Sequence, residues 1–366
     1  MVVNVSRFRC DALVVTADAG IDVVPLPGLT LRDVDAWAAE YIEGVGTAYE
    51  RNGVDDAVAM MRRLSGILGR LWATVAAPVL ERLGLDAAPR EGAPWPRVWW
   101  CPTGRLSFLP LHAAGRGAAD SGDWVLDRAV SSYTPTVRAL ARARDGLAAG
   151  ERGGRASTGR GGPVPGGRGR PAPLVVALEE TPGAAPLPGV AREAAVLREL
   201  FPEGRLLSGP EATVAAVGRA LEAHPWVHFS CHGVSELLDP SRSGLILYDG
   251  RLTVSDAAAR RPGSPELAVL SACSAAQGGI RIPDEAVQLA SSFQLAGYPH
   301  VIGTLWPVAD KLATRLTEEF YTTLAADLDR GRGLDPATAL HHPVRALRDR
   351  YAQAPHLWAA HIHTGP

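Results

Sequence analysis

Two short segments concentrate the residues that could do covalent chemistry. One reads Ser230-Cys231-His232-Gly233 and the other Ser271-Ala272-Cys273-Ser274. Each follows an apolar, strand-like run, Trp226–Ser230 and Leu267–Ser271. In open α/β sheets, ligands bind beyond the carboxyl ends of the strands. A histidine and a cysteine therefore emerge at the same edge of one sheet, and enough chain separates them for a crossover and a return. If the two strands are neighbours, the side chains can meet. The thiolate of such a pair is a nucleophile, and the imidazole lowers the thiol pKa and later protonates a leaving amine. Gly233 allows a tight turn, and its N–H could point at a developing oxyanion.

Other readings compete. Cysteine at a buried strand end is often inert filler, and histidine there is often a satisfied core residue. Cys231 is a second sulfur, but strand alternation turns it to the face opposite His232 and into the core. His112 follows an apolar run and reads as structural. A metal could in principle take His228, Cys231, His232 and Cys273, yet the H-x-x-C-H spacing fits no standard zinc pattern. No G-x-S-x-G, H-E-x-x-H or strand-anchored G-x-G-x-x-G is present, and Lys311 is the sole lysine, so a phosphate-binding G-x-x-x-x-G-K loop is excluded. No metal and no cofactor are expected.

Composition narrows the class. The chain has 366 residues, is 46% hydrophobic and 21% charged, and carries a formal net charge of -2. That is the profile of a globular protein with no basic field for nucleic acid. Trp95, Trp99 and Trp100 have a single basic residue, Arg97, among them and read as core rather than as base-stacking groups. Four cysteines, Cys10, Cys101, Cys231 and Cys273, cannot form a disulfide framework and point to a reducing cytoplasm. The N-terminus has no signal-peptide h-region, and no apolar run reaches the roughly 18 residues of a membrane helix. The dominance of arginine over lysine, with 39 Gly and 29 Pro, is the mark of a GC-rich genome.

These residues need a scaffold. Strands are predicted at 12–16 and 21–24, helices at 31–50 and 55–83, apolar strand material alternating with a P-T-G turn over 97–115, a further strand at about 125–133 and a helix at 136–145. Residues 146–173 hold 10 glycines and almost nothing apolar, so this segment is predicted to be a flexible loop. It separates an N-terminal α/β part, 1–145, from a core at 174–366. In the core, strands are predicted at 174–178, 205–207, 226–230, 244–248, 267–271 and 300–303. Helices alternate with them at 190–200, 213–223, 253–260, 284–296 and 309–327. Thr253 and Asp256 form a capping-box signature. The alternation predicts βαβ units and a parallel sheet covered on both faces.

At this point the segments become recognisable. WVHFSCHG (226–233), LAVLSACSAAQGG (267–279), DEAVQLASSFQLAGYPHVIGTLWPVAD (284–310) and HLWAAHIHTG (356–365) closely resemble the CHAT domain, a family of caspase-like peptidases related to separase. RVWWCPTGRLSFLPLHAAG (97–115) and LVVALEETPGAAPLPGVAREAAVLRELFP (174–202) extend the resemblance over nearly the whole chain. It implies an α/β fold: a caspase-like, mostly parallel sheet with mixed edges and helices on both faces, preceded by a smaller pseudo-symmetric half. It also implies that His232 is the catalytic histidine, Cys273 the nucleophile, and the N–H groups of Gly233 and Cys273 the oxyanion hole. The activity implied is a cysteine endopeptidase cutting a protein substrate in a regulated stress, immunity or cell-death pathway. The rival is a catalytically silent scaffold that binds protein partners. The family usually has Glu-Thr-Gly after the cysteine, where this chain has Ser274-Ala275-Ala276. Helical repeats or a nucleotide-switch domain, common in the family, are not found, so any regulator is expected to be a separate protein or part of a longer parent protein.

The resemblance also suggests a specificity pocket. In separase an aspartate after the Leu-Trp pair holds the P1 arginine, and the matching LWPVADK (305–311) offers Asp310. Asp284 and Glu285 are the other acidic candidates. A carboxylate on a pocket floor favours arginine or lysine. The alternative is that Asp310 caps the following helix and that Asp284 and Glu285 favour a helix N-terminus.

Overall fold

The computed structural model describes residues 1–16, 20–51, 54–156, 170–234, 242–260, 262–271 and 289–366. Its N-terminal half contains strands β1 (Val2–Asn4), β2 (Asp11–Thr16), β3 (Gly20–Pro25), β4 (Arg97–Pro102) and β5 (Val130–Tyr133). Helices α1 (Leu31–Arg51), α2 (Val54–Leu71), α3 (Ala77–Arg82) and α4 (Val137–Ala156) accompany them. A π-helical turn, Trp72–Ala76, joins α2 to α3. The helix predicted over 55–83 is therefore one nearly continuous helical rod, with Leu64, Ile67, Leu68, Leu71 and Val75 buried.

The second half contributes β6 (Leu174–Ala177), α5 (Gly189–Leu200), β7 (Arg205–Ser208), α6 (Val214–Leu221), β8 (Trp226–Ser230), β9 (Gly233–Val234), β10 (Gly244–Ile246), β11 (Arg251–Thr253), α7 (Val254–Ala259) and β12 (Leu267–Ser271). It ends with α8 (Leu289–Leu295), β13 (His300–Thr304), α9 (Asp310–Asp329), α10 (Pro336–Arg350) and β14 (His361–Thr364). The capping box predicted at Thr253 and Asp256 starts α7.

The described strands form an eleven-stranded sheet in the order β3-β2-β1-β4-β5-β14-β13-β12-β8-β6-β7. From β13 to β7 all neighbours are parallel, as the βαβ pattern requires. Strands β6, β8, β12 and β13 are buried almost throughout, as expected of a sheet covered on both faces. The mixing is not confined to the edge. The final strand, β14, runs antiparallel to β13 and parallel to β5, so two parallel blocks of opposite direction meet in the middle of the sheet. The two halves thus share one sheet and one core. Tyr41 on α1 donates to the Leu305 carbonyl just after β13 at 2.9 Å, and its ring meets Trp306 edge-on.

Several local expectations change. Residues 244–248 do not extend the main sheet: β10 lies between β9 and β11 in a separate antiparallel sheet of three short strands. Helix α4 reaches Ala156, inside the segment expected to be a loop, and 157–169 lie outside the described residues. Arg170, at the end of that segment, forms a forked ion pair with Asp329 on α9. Helix α10 and strand β14 were not read from the sequence. Of the tryptophan cluster only Trp100 is core. Trp99 is half-buried between the guanidinium groups of Arg97 and Arg144, and Trp95 packs on His341.

Candidate active site

Strands β8 and β12 are adjacent and parallel, with Ser230 opposite Ser271 at their carboxyl ends. His232 and Cys273 each stand two residues beyond this matched pair. Neighbouring strands run about 4.8 Å apart, so the register brings the two chain exits side by side. Cys273, Asp284 and Glu285 themselves lie outside the described residues.

His232 is half-buried, and its Nε2 lies 2.7 Å from the carbonyl oxygen of Ala185. A carbonyl only accepts, so Nε2 carries the ring proton and Nδ1 the lone pair. Ala185 belongs to the loop between β6 and α5. That loop is closed on itself by Leu187 N–H donating to the Glu179 carbonyl and Ala184 N–H donating to the Thr181 carbonyl. The His232 carbonyl accepts from Ile246 N–H at 2.8 Å, and Gly233 faces Leu245. Antiparallel ladders alternate, so the Gly233 N–H is directed away from β10.

Asp310 is the first residue of α9 and half-buried. It does not cap its own helix, whose N-cap is Ala309. Its Oδ2 accepts from Gly189 N–H, the start of α5, at 2.6 Å. Gly189 must be glycine here, because a Cβ would fall on Asp310 and Thr314. The acid thus anchors the end of the same loop that presents Ala185 to His232.

Under the strand ends lies a polar network that the sequence reading missed. Glu193 on α5 is 3% exposed. Its Oε1 accepts from Ser271 Oγ at 3.1 Å, and its Oε2 lies 2.9 Å from His228 Nε2. The Tyr321 hydroxyl is 3.3 Å from His228 Nδ1. Burial, and then the charge of Glu193, push the Tyr321 phenol well above its usual pKa. The signal was present in the sequence: Glu193 occupies a core-facing position among Val190, Ala194 and Leu197. The Ala185 carbonyl, a backbone atom, left no side-chain signal.

Of the residues weighed for a metal, Cys273 lies outside the described residues and the other three have separate surroundings. His228 is engaged on both nitrogens, and Cys231 is buried and 1% exposed, as its strand position predicts. His232 turns to Ala185. Among the described residues no group of three or more His, Cys, Asp or Glu is arranged to hold a metal ion. His112 is structural: it is buried, its Nδ1 is 2.9 Å from the Tyr133 hydroxyl, and burial pulls its pKa down to about 3. No helix among the described residues is long and apolar enough to cross a membrane.

The CHAT domain matches residues 66–366. No curated protein is matched by the sequence. Among solved structures, the chain is similar to separase in the Saccharomyces cerevisiae separase–securin complex, at 14% identity and a TM-score of 0.49. That similarity covers 73% of this chain and 15% of the separase chain. It is also similar to RgpB in the complex of Porphyromonas gingivalis RgpB pro- and mature domains, at 9% identity and a TM-score of 0.49, covering 80% and 69%. A structure of the Arg-specific cysteine proteinase gingipain R (RgpB) is similar at 11% identity and a TM-score of 0.49, covering 80% and 68%. With four-fifths of its length matched by one family, the chain belongs to the CHAT-domain family.

Proposed function

We propose that the protein is a bacterial, cytoplasmic, caspase-like cysteine endopeptidase that cuts a protein substrate with Cys273 and His232. The observation that supports this best is the β8–β12 register, which ends both strands level and two residues short of the histidine and the cysteine. The free lone pair on His232 Nδ1 suits it to take the proton of the Cys273 thiol. The thiolate then attacks the peptide carbonyl. The oxyanion is received by the N–H groups of Gly233 and Cys273. His232 returns the proton to the departing amine, and water hydrolyses the acyl-enzyme with His232 as base. Cys10, Cys101 and Cys231 are buried and form no disulfide among the described residues, in keeping with a reducing compartment.

Activity is controlled by a separate regulatory chain in this reading. The pocket for the P1 residue takes its charge from Asp310, Asp284 or Glu285, and Asp310 stands beside the loop that holds His232.

A thiol-reactive peptide probe tests the reading. Cys273 should be labelled selectively, with labelling lost in His232→Ala. Cys273→Ala should abolish proteolysis while leaving the fold intact, and Cys231→Ala should be mild. Equal loss at Cys231 would move the nucleophile to that sulfur. A folded protein in which Cys273 reacts no faster than a free thiol would be a non-catalytic CHAT scaffold instead.

A further inference from the structure

We propose that Glu193 is a positioning residue: its buried carboxylate joins the ends of β8 and β12 and so fixes the spacing of the two strand ends that lead to His232 and Cys273. This rests on the peptidase reading above. Ser271 is the last residue of β12, and its partner across the ladder is Ser230. His228 lies two residues before Ser230 and so shares its face of the sheet. Each strand therefore gives one hydrogen bond to a different oxygen of the same carboxylate.

The donors and acceptors form a single consistent direction. The Tyr321 hydroxyl donates to His228 Nδ1, His228 Nε2–H donates to Glu193 Oε2, and Ser271 Oγ–H donates to Oε1. Burying a carboxylate is costly unless its lone pairs are satisfied, and apolar side chains could fill the same space. What the carboxylate adds is a bond to each strand at the point where both leave the sheet. Helix α5 also begins at Gly189, fixed by Asp310, directly after the loop whose Ala185 carbonyl orients His232. One rigid helix thus holds both strand ends and carries the loop that sets the imidazole. The ion pair of Arg192 with Glu318 ties its outer face to α9.

The test is the pH profile of Cys273 alkylation by iodoacetamide, read by mass spectrometry, in wild type and Glu193→Gln. Glutamine keeps the shape but carries no charge, so both charge-assisted hydrogen bonds become neutral ones of about half the strength and the hold on each strand weakens. The wild type should react with a midpoint below the ordinary thiol value of about 8.5. In Glu193→Gln the midpoint should rise towards that value and the rate at neutral pH fall about tenfold or more, with the circular dichroism spectrum unchanged. A folded variant with the wild-type profile overturns the role of Glu193 and leaves the dyad standing. A wild-type Cys273 that titrates as a free thiol overturns the peptidase reading, and the positioning role with it. If Glu193→Gln fails to fold, Ser271→Ala removes the β12 contact alone and is measured in its place. A raised midpoint supports the inference, and an unchanged one overturns it.

Discussion

The Nε2 of His232 lies 2.7 Å from the backbone carbonyl of Ala185, and this contact decides which nitrogen of the ring is left to exchange a proton. The partner is a main-chain atom on the β6–α5 loop, so no side-chain deletion removes it. Its position depends on how the loop is held at its far end, where Gly189 meets Asp310. The geometry of a histidine on one loop is thus set by the close packing of two helices, α5 and α9, outside that loop.

Gly189→Ala tests this dependence. The added methyl would collide with Asp310 and Thr314. Overpacking of this kind costs about 1–3 kcal/mol. The variant should melt at a lower temperature and label more slowly at Cys273 with the peptide probe. Wild-type melting and labelling would show that the loop tolerates a shifted α5.

Asp310→Asn separates anchoring from charge. Asparagine can still accept from Gly189 N–H through its side-chain oxygen but carries no negative charge. A fluorogenic library varied at P1 should show a preference for arginine or lysine in the wild type, lost in Asp310→Asn while Cys273 labelling persists. Preference for acidic or apolar P1 residues in the wild type would reduce Asp310 to an anchor of α5.

The two halves of the sheet are pinned by a buried ion pair. Arg348 on α10 is fully buried, and its two terminal nitrogens donate to the two oxygens of Asp127 at 2.8 and 2.5 Å. Arg345 also donates to Asp127, and Arg348 also donates to the more exposed Asp349, so removing Asp127 leaves Arg348 buried with that one remaining carboxylate, at a cost of up to about 3–5 kcal/mol. Asp127→Ala should therefore lower the urea midpoint strongly. Asp127→Leu combined with Arg348→Met should recover most of that loss. A double variant as unstable as the single one would mean that the pair contributes attraction beyond its own desolvation.

Stability should fall steeply in mild acid. Burial depresses His112 and His341 to about 3 and His300 and His361 to about 4. His363 is also pushed well below the usual value, by burial and then by the neighbouring His300. The unfolded chain protonates these rings near pH 6.5, whereas the folded chain does so only near 3 to 4. Between those values the unfolded state binds more protons, so stability is fully present above about pH 6.5 and is lost as the pH falls. Each ring contributes a slope of about 1.4 kcal/mol per pH unit in that window. Urea midpoints at pH 7.5, 6.5 and 5.5 should decline accordingly, and less steeply in a His300→Gln variant. A flat profile would show that the rings are hydrated in solution.

The local chemistry of this protein was legible in its residue order. Cys231 was assigned to the core because alternation from His232 demands it, and it is buried there. The capping box at Thr253, the apolar rod from α2 to α3 and the parallel strands up to β13 follow from periodicity, which local sterics and burial enforce within a few residues. What only the tertiary structure decided concerns partners far apart in the chain. Strand β14 is four residues long and rich in histidine, so nothing local marks it as the central strand joining two opposed parallel blocks. Helix α10 carries Pro343 in its interior and begins after a Gly-rich turn, which weakens its periodic signal. Segment 244–248 has strand-like residues, but strand propensity does not choose a partner, and β9 captured it outside the main sheet. From the sequence Asp310 reads either as a pocket acid or as a cap for its own helix, and only the packing of α5 against α9 turns it to Gly189. Glu193 meets its partners 35 and 78 residues further along the chain, and a backbone carbonyl at Ala185 orients His232. Hydrogen bonds of that reach are selected by which surfaces the whole core buries together, a choice that periodicity along the chain does not encode.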